Sequence, residues 1–202
     1  MKADKSASIG SRSAAWESAS LPQALLTVGA VITGCLLVGL GAQVRVLVPG
    51  TDVPATLQLL AVLLTGLMLS PSAAAAAMLL YLLCGAAGLP VFVPGSAGMA
   101  GPTGGYLAGF VPAAFMVSLT KGTRSPGLLR CALAAALGVV VVFALGVGWR
   151  VAFAYLAGLP DGSVVQAAVT GSAPFALKTA VEVFLAATLV SVAGNRGRFF
   201  QR

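Results

Sequence analysis

Lys178 and Glu182 stand four residues apart inside an otherwise apolar run, so a helix sets both on the same face. An ionisable pair within an apolar helix either neutralises itself or serves a site. In the second reading Lys178 receives an anionic group, such as a ligand carboxylate, and Glu182 orients it. A position near the helix N-terminus would add the positive end of the helix dipole. The residues by themselves leave both readings open.

Other chemistry has few candidates. The chain has no histidine to act as a general base, no GxxxxGK[ST] phosphate loop, and only five acidic residues. A Ser96–Lys178 dyad has no spacing to support it. Cys35, Cys84 and Cys131 are far apart, lie in apolar runs and form no CxxC, so they read as small buried hydrophobes rather than metal ligands. We therefore expect a protein that is not an enzyme, that has no metal or cofactor, and that cannot itself use ATP.

The elements that must position the Lys–Glu pair follow from composition. Of 202 residues 58% are hydrophobic and 8% charged, against roughly 25% charged in a soluble domain. A membrane span takes about 20 apolar residues. The expectation is an all-α, polytopic membrane protein: a polar cytoplasmic tail over 1–20, a six-helix transmembrane bundle over 21–195 and a basic cytoplasmic tail over 196–202. No cleavable secretion signal is expected, because the apolar run begins late and continues too long.

Charge placement supports that topology. Nine of the twelve basic residues form three clusters: Lys2, Lys5 and Arg12; Lys121, Arg124 and Arg130; and Arg196, Arg198 and Arg202. Six spans put all three on one side, which the positive-inside bias makes the cytoplasm, with Arg45 and Arg150 outside. The net charge of +7 thus reports orientation and not nucleic-acid binding.

Along the chain, the first span covers Leu21 to Leu47, with Ala30 and Gly34 at a small-xxx-small interval that suits either a docking partner or packing within the bundle. Pro49 to Val53 make an outer turn, and Pro54 suits the first turn of the second helix, which carries Thr56 and Gln58. Ser70-Pro71 turns into a third span, Ser72 to Leu83, with Tyr81 near its outer end. Then comes GAAGLPVFVPGSAGMAGPTGG, Gly85 to Gly105, with seven glycines, three prolines and no charge. This is too broken for a helix and too apolar for an exposed loop. Irregular backbone at membrane depth must be buried by protein or line a cavity, so the segment is expected to fold over an outward-facing pocket. The fourth span begins near Tyr106, and the fifth runs from Pro126 to Val147, with Trp149 and Arg150 at its outer end. An outer loop from Leu159 to Ser172 leads into the sixth, with Ser172 as N-cap and Pro174 in the first turn, ending near Ala193.

Three stretches, VPATLQ (53–58), YLLCGAAGLPVF (81–92) and GPTGGYLAGF (101–110), resemble the BioY family. The resemblance implies a biotin-binding S component of an energy-coupling-factor (ECF) transporter, working with a transmembrane coupling protein and ABC-type ATPases. It implies a pocket closed by the first and third outer loops, with Thr56 and Gln58 at the entrance of the second helix, Tyr106 under the lid, and Lys178 receiving the carboxylate. The candidate ligand-binding set is Thr56, Gln58, Tyr81, Phe92, Ser96, Thr103, Tyr106, Lys178 and Glu182. Leu89, Val91 and Phe92 are expected to cover the ligand's apolar body, while Gly88, Gly95, Gly98 and Gly101 let the lid move. Ala30 and Gly34 are the candidate partner contacts. Two departures bear on the ligand: Phe175 stands where the family often has an aspartate, and the lid is shorter. A different small vitamin, a facilitator without ATPases and a ligand-free scaffold are the alternatives.

Overall fold

The computed structural model describes residues 21–46, 55–122, 126–156, 158, 166, 169 and 175–199. Within them lie six α-helices: α1 (Leu21–Gln43), α2 (Gln58–Met68), α3 (Pro71–Ala86), α4 (Gly104–Lys121), α5 (Leu128–Leu156) and α6 (Ala176–Phe199). Three contain stretches long and apolar enough to cross a bilayer: Gln23–Gln43, Leu128–Leu156 and Ala176–Ala193. Leu26, Leu129 and Leu177 are exposed on the bundle's outside, a surface that suits lipid and not water.

Helix α2 is the hub. It packs against α1, α3, α4, α5 and α6, while the others follow round it as α1 on α3, α3 on α4, α4 on α5 and α5 on α6. Helices with no hydrophobic drive to associate in lipid gain from close approach, and small residues allow it. The core is accordingly rich in fully buried alanines, among them Ala74, Ala77, Ala113, Ala114, Ala134 and Ala186. At Gly66 an added Cβ would lie 2.8 Å from Val117 Cβ and 2.9 Å from the Ala114 carbonyl. Gly34 is also taken by internal packing: its Cβ would meet Thr65 Cγ2 at 2.9 Å and Ala77 Cβ at 3.0 Å. It therefore faces α2 and α3 and not an outside partner, whereas Ala30 stays half-exposed.

Polar ends are closed from inside the protein. Lys121 Nζ donates to the Leu67 and Leu69 carbonyls at 2.5 and 2.9 Å, and Ser118 Oγ donates to Leu69 at 2.6 Å, capping the last turn of α2. Arg130 Nε donates to the Thr120 carbonyl at 3.1 Å, at the end of α4.

The structure departs from the sequence-based expectation in four places. Ala55 and Thr56 do not open a helix. They form the strand β2, antiparallel to β1 (Arg45–Val46), with Arg45 opposite Thr56. The Leu57 amide continues this connection by donating to the Gly41 carbonyl at 3.1 Å. Helix α2 thus starts at Gln58 and rises only about 16 Å at 1.5 Å per residue, short of the roughly 30 Å hydrocarbon layer. Helix α5 runs on through Trp149 and Arg150 to Leu156, which buries Arg150, and α6 crosses the expected boundary at 195 to reach Phe199. The 1–20 tail, Pro49 to Pro54, Asp161, Ser172 and Pro174 lie outside the described residues.

Gly66→Val should destabilise the detergent-purified bundle by about 1–3 kcal/mol, as overpacking of a tight core does. Gly29→Val, where an added Cβ meets nothing, should leave thermal unfolding unchanged. Equal melting of the two variants would refute the packing assigned to the α2–α4 crossing.

Candidate functional site

A cavity of about 440 Å³ opens at the end of the bundle where α2, α4 and α6 begin. One wall is the β-ribbon with the first turn of α2, contributing Arg45, Thr56 and Gln58. A second is α4 and the residues before it, with Thr103, Tyr106 and Phe110. The third is α5 and α6, with Phe143, Phe175, Lys178 and Thr179. The roof is the loop segment Val93 to Ala97. Both its size and its mixture of aromatic surface with a few polar groups suit a small organic ligand.

The glycine-rich segment is held down at three places. Gln43 Nε2 donates to the Pro90 and Phe92 carbonyls at 3.3 and 3.5 Å, Arg45 Nη1 to Pro94 at 2.7 Å, and Trp149 Nε1 to Gly101 at 2.9 Å. Its hydrophobic pin is Phe92, whose ring meets the Tyr81 ring edge-on at 5.4 Å between centroids. That ring occupies the space a Cβ on Gly85 would need, and lies 2.9 Å from where one on Gly98 would be. Gly98 also has φ +56°, so it serves both the turn and the pin.

Two polar pairs set the floor and the α6 wall. Gln58, buried, accepts from Thr56 Oγ1 at 3.0 Å through Oε1 and shares a 2.7 Å hydrogen bond from Nε2 to the Tyr81 hydroxyl. These bonds fix which way its amide faces. Lys178 Nζ lies 2.8 Å from Glu182 Oε1; the Lys178 side chain keeps 28% of its exposure and lines the cavity, whereas that of Glu182 keeps 3% and does not. Tyr106 is braced edge-on by Phe143 at 5.9 Å, and its ring fills the space left by Gly146.

Of the nine residues expected to face a ligand, Thr56, Gln58, Ser96, Thr103, Tyr106 and Lys178 line the cavity. Tyr81, Phe92 and Glu182 do not. Each stands behind one that does, or behind the lid, and holds it in place. Leu89, Val91 and Phe92, expected to cover the ligand, do not line the cavity: Leu89 is exposed, Val91 packs beside Gly39 of α1, and Phe92 is partly buried against Tyr81. Val93, Pro94 and Ala97 take that position instead. Arg45 and Thr179 were missed. Arg45 read only as an outside charge, and Thr179 differs in sequence context from no other threonine in an apolar helix.

Residues 15–198 match the BioY family. The probable biotin transporter BioY of Pyrococcus horikoshii is 37% identical over 120 residues, 58% of this chain and 69% of that protein. The biotin transporter BioY of Rhodobacter capsulatus is 40% identical over 104 residues, 48% of this chain and 55% of that protein. The chain thus spans roughly half to two thirds of these relatives. Its fold is similar to the crystal structure of the S-component for biotin from an ECF-type ABC transporter, with a TM-score of 0.72 at 17% identity, over 87% of this chain and 94% of that one.

Lys178→Met should cost more stability than Glu182→Gln. The first strands a buried carboxylate, for which roughly 3 kcal/mol is typical; the second leaves an amine that still reaches the cavity. Thermal unfolding of both variants in detergent decides the order, and the reverse order would contradict the placement of the pair. Arg45→Met should speed amide exchange at Gly95 to Gly98 while leaving α4 unchanged, and identical exchange would show that Arg45 does not hold the lid.

Proposed function

The chain belongs to the BioY family, and on that footing we propose that it is the biotin-capturing S component of an ECF-type importer. It is a transporter component and not an enzyme. The observation that carries the proposal is the cavity itself: roofed by an apolar loop, walled by aromatic rings, and supplied with the Lys178 amine, which a buried carboxylate orients.

Biotin has a polar fused ring, an apolar chain and a terminal carboxylate. An ammonium has three donors, so Lys178 can keep Glu182 on one and offer another to the ligand carboxylate. Arg45, also in the lining, adds a second positive charge, so the entering anion meets net positive charge even though Lys178 and Glu182 cancel. Thr56, Gln58, Ser96, Thr103 and Tyr106 supply the remaining polar contacts, and the Val93–Ala97 roof closes over the chain. Opening of that roof, pivoting on its glycines, admits the ligand.

In this reading the six helices form a multi-pass bundle in the cell membrane, with both termini in the cytoplasm and the cavity facing out. The charge clusters support that orientation. A bundle without a nucleotide site needs an energy source, which an ECF transmembrane coupling protein with ABC-type ATPases provides. The half-exposed Ala30 face of α1 is the proposed docking surface, without Gly34. Phe175 in the lining favours a second reading, a related small vitamin, since an apolar ring there offers no partner to a polar head group.

Labelled biotin should bind the purified protein saturably, with unlabelled thiamine and riboflavin failing to compete. Lys178→Ala should abolish binding, and Lys178→Ala/Glu182→Gln, which leaves no stranded acid, should abolish it equally. Retained binding in the double variant would remove Lys178 as the anchor. Displacement by thiamine or riboflavin would transfer the site to another vitamin. Ala30→Leu should block uptake in cells supplying the coupling protein and ATPases while leaving binding intact; unimpaired uptake would discard that docking face.

A further inference from the structure

The hydroxyls of Thr27, Thr33 and Thr65 follow the usual habit of a helical threonine. Each donates to the carbonyl four residues earlier, at 2.8 to 2.9 Å. Thr179 does not. It is 7% exposed, its Oγ1 is buried without a hydrogen-bond partner, and it lines the cavity beside Lys178. Thr188, further along α6, shares the unbonded hydroxyl but not the cavity. A buried polar group left unpaired is costly and calls for an explanation, and in a residue of the cavity lining a bound ligand can supply the missing partner.

We infer that Thr179 is a specificity-determining residue that reads the uncharged polar head of the ligand. This inference rests on the proposed biotin function and adds a recognition role to the same cavity. The chemistry selects the group. Lys178 is committed to Glu182 and suits an anion, whereas a threonine hydroxyl is neutral and suits a neutral partner. A hydroxyl has two lone pairs but one hydrogen, so its orphaned proton is the larger loss, and the ligand atom is an acceptor. In biotin that atom is the oxygen of the cyclic urea. Gln58, fixed by Thr56 and Tyr81, stands in the same lining and leaves its second amide hydrogen for the same head group. Recognition of the head is then carried by neutral hydrogen bonds, on a wall where Phe175 contributes only an apolar ring.

The test is equilibrium binding of biotin and of 2-thiobiotin, whose urea oxygen is replaced by the weak acceptor sulfur, to the parent, Thr179→Val and Thr179→Ser, each checked by thermal unfolding. Valine matches threonine in shape, so Thr179→Val should weaken biotin about 10-fold, the scale of one hydrogen bond, and leave 2-thiobiotin unchanged. Thr179→Ser should bind biotin like the parent. Parent-like biotin binding by Thr179→Val, an equal loss for both ligands, or no rescue by serine would each overturn the assignment, because each makes Thr179 a packing residue only. A parent that binds no biotin would bring down the proposed function and this inference together, whereas binding by the parent with no effect of valine brings down the inference alone.

Discussion

The loop between α3 and α4 is uncharged and largely exposed, so it has no charge of its own to hold it to the bundle and needs anchors from elsewhere. Gln43, Arg45 and Trp149 meet that need from three different elements, each donating to loop carbonyls. The cavity depends on these bonds, since the same loop is its roof. The loop is thereby held over the end of the bundle where α2, α4 and α6 begin, and the space beneath it becomes a cavity.

The same accounting explains why the polar residues come in pairs. Gln58 faces the cavity and Tyr81 stands behind it; Lys178 faces the cavity and Glu182 stands behind it. In each case the inner partner is almost wholly buried and sets the direction of the outer one. Phe92 plays the matching part for the lid, pinned on Tyr81, so one tyrosine supports both floor and roof. Preorganisation of this kind lowers the ordering cost of taking up a ligand.

Helix α2 brings these pairs together. Its shortness puts Gln58 at the cavity floor, and the β-ribbon that precedes it places Arg45 and Thr56 on the adjoining wall. Its central position requires small residues at its crossings, and Gly66 and the Gly34–Thr65–Ala77 contact supply them. At its far end Lys121 and Ser118 close its carbonyls, so one lysine of the basic clusters also terminates a helix.

Composition, apolar run length and the three family stretches determined the helical membrane class, the family, the lid segment and Lys178 with Glu182, because each is a property of local sequence. They also pointed to most of the polar cavity-lining residues, since a polar side chain in an apolar run has few reasons to be there. Only the tertiary structure decided which residues face the cavity and which support them, because facing depends on helix rotation and on neighbours far away in the chain. Phe92 and Tyr81 turn to each other, Gly34 turns inward, Arg45 reaches the lid 49 residues on, and Thr179 differs from Thr65 in lining the cavity and in the bond it does not make.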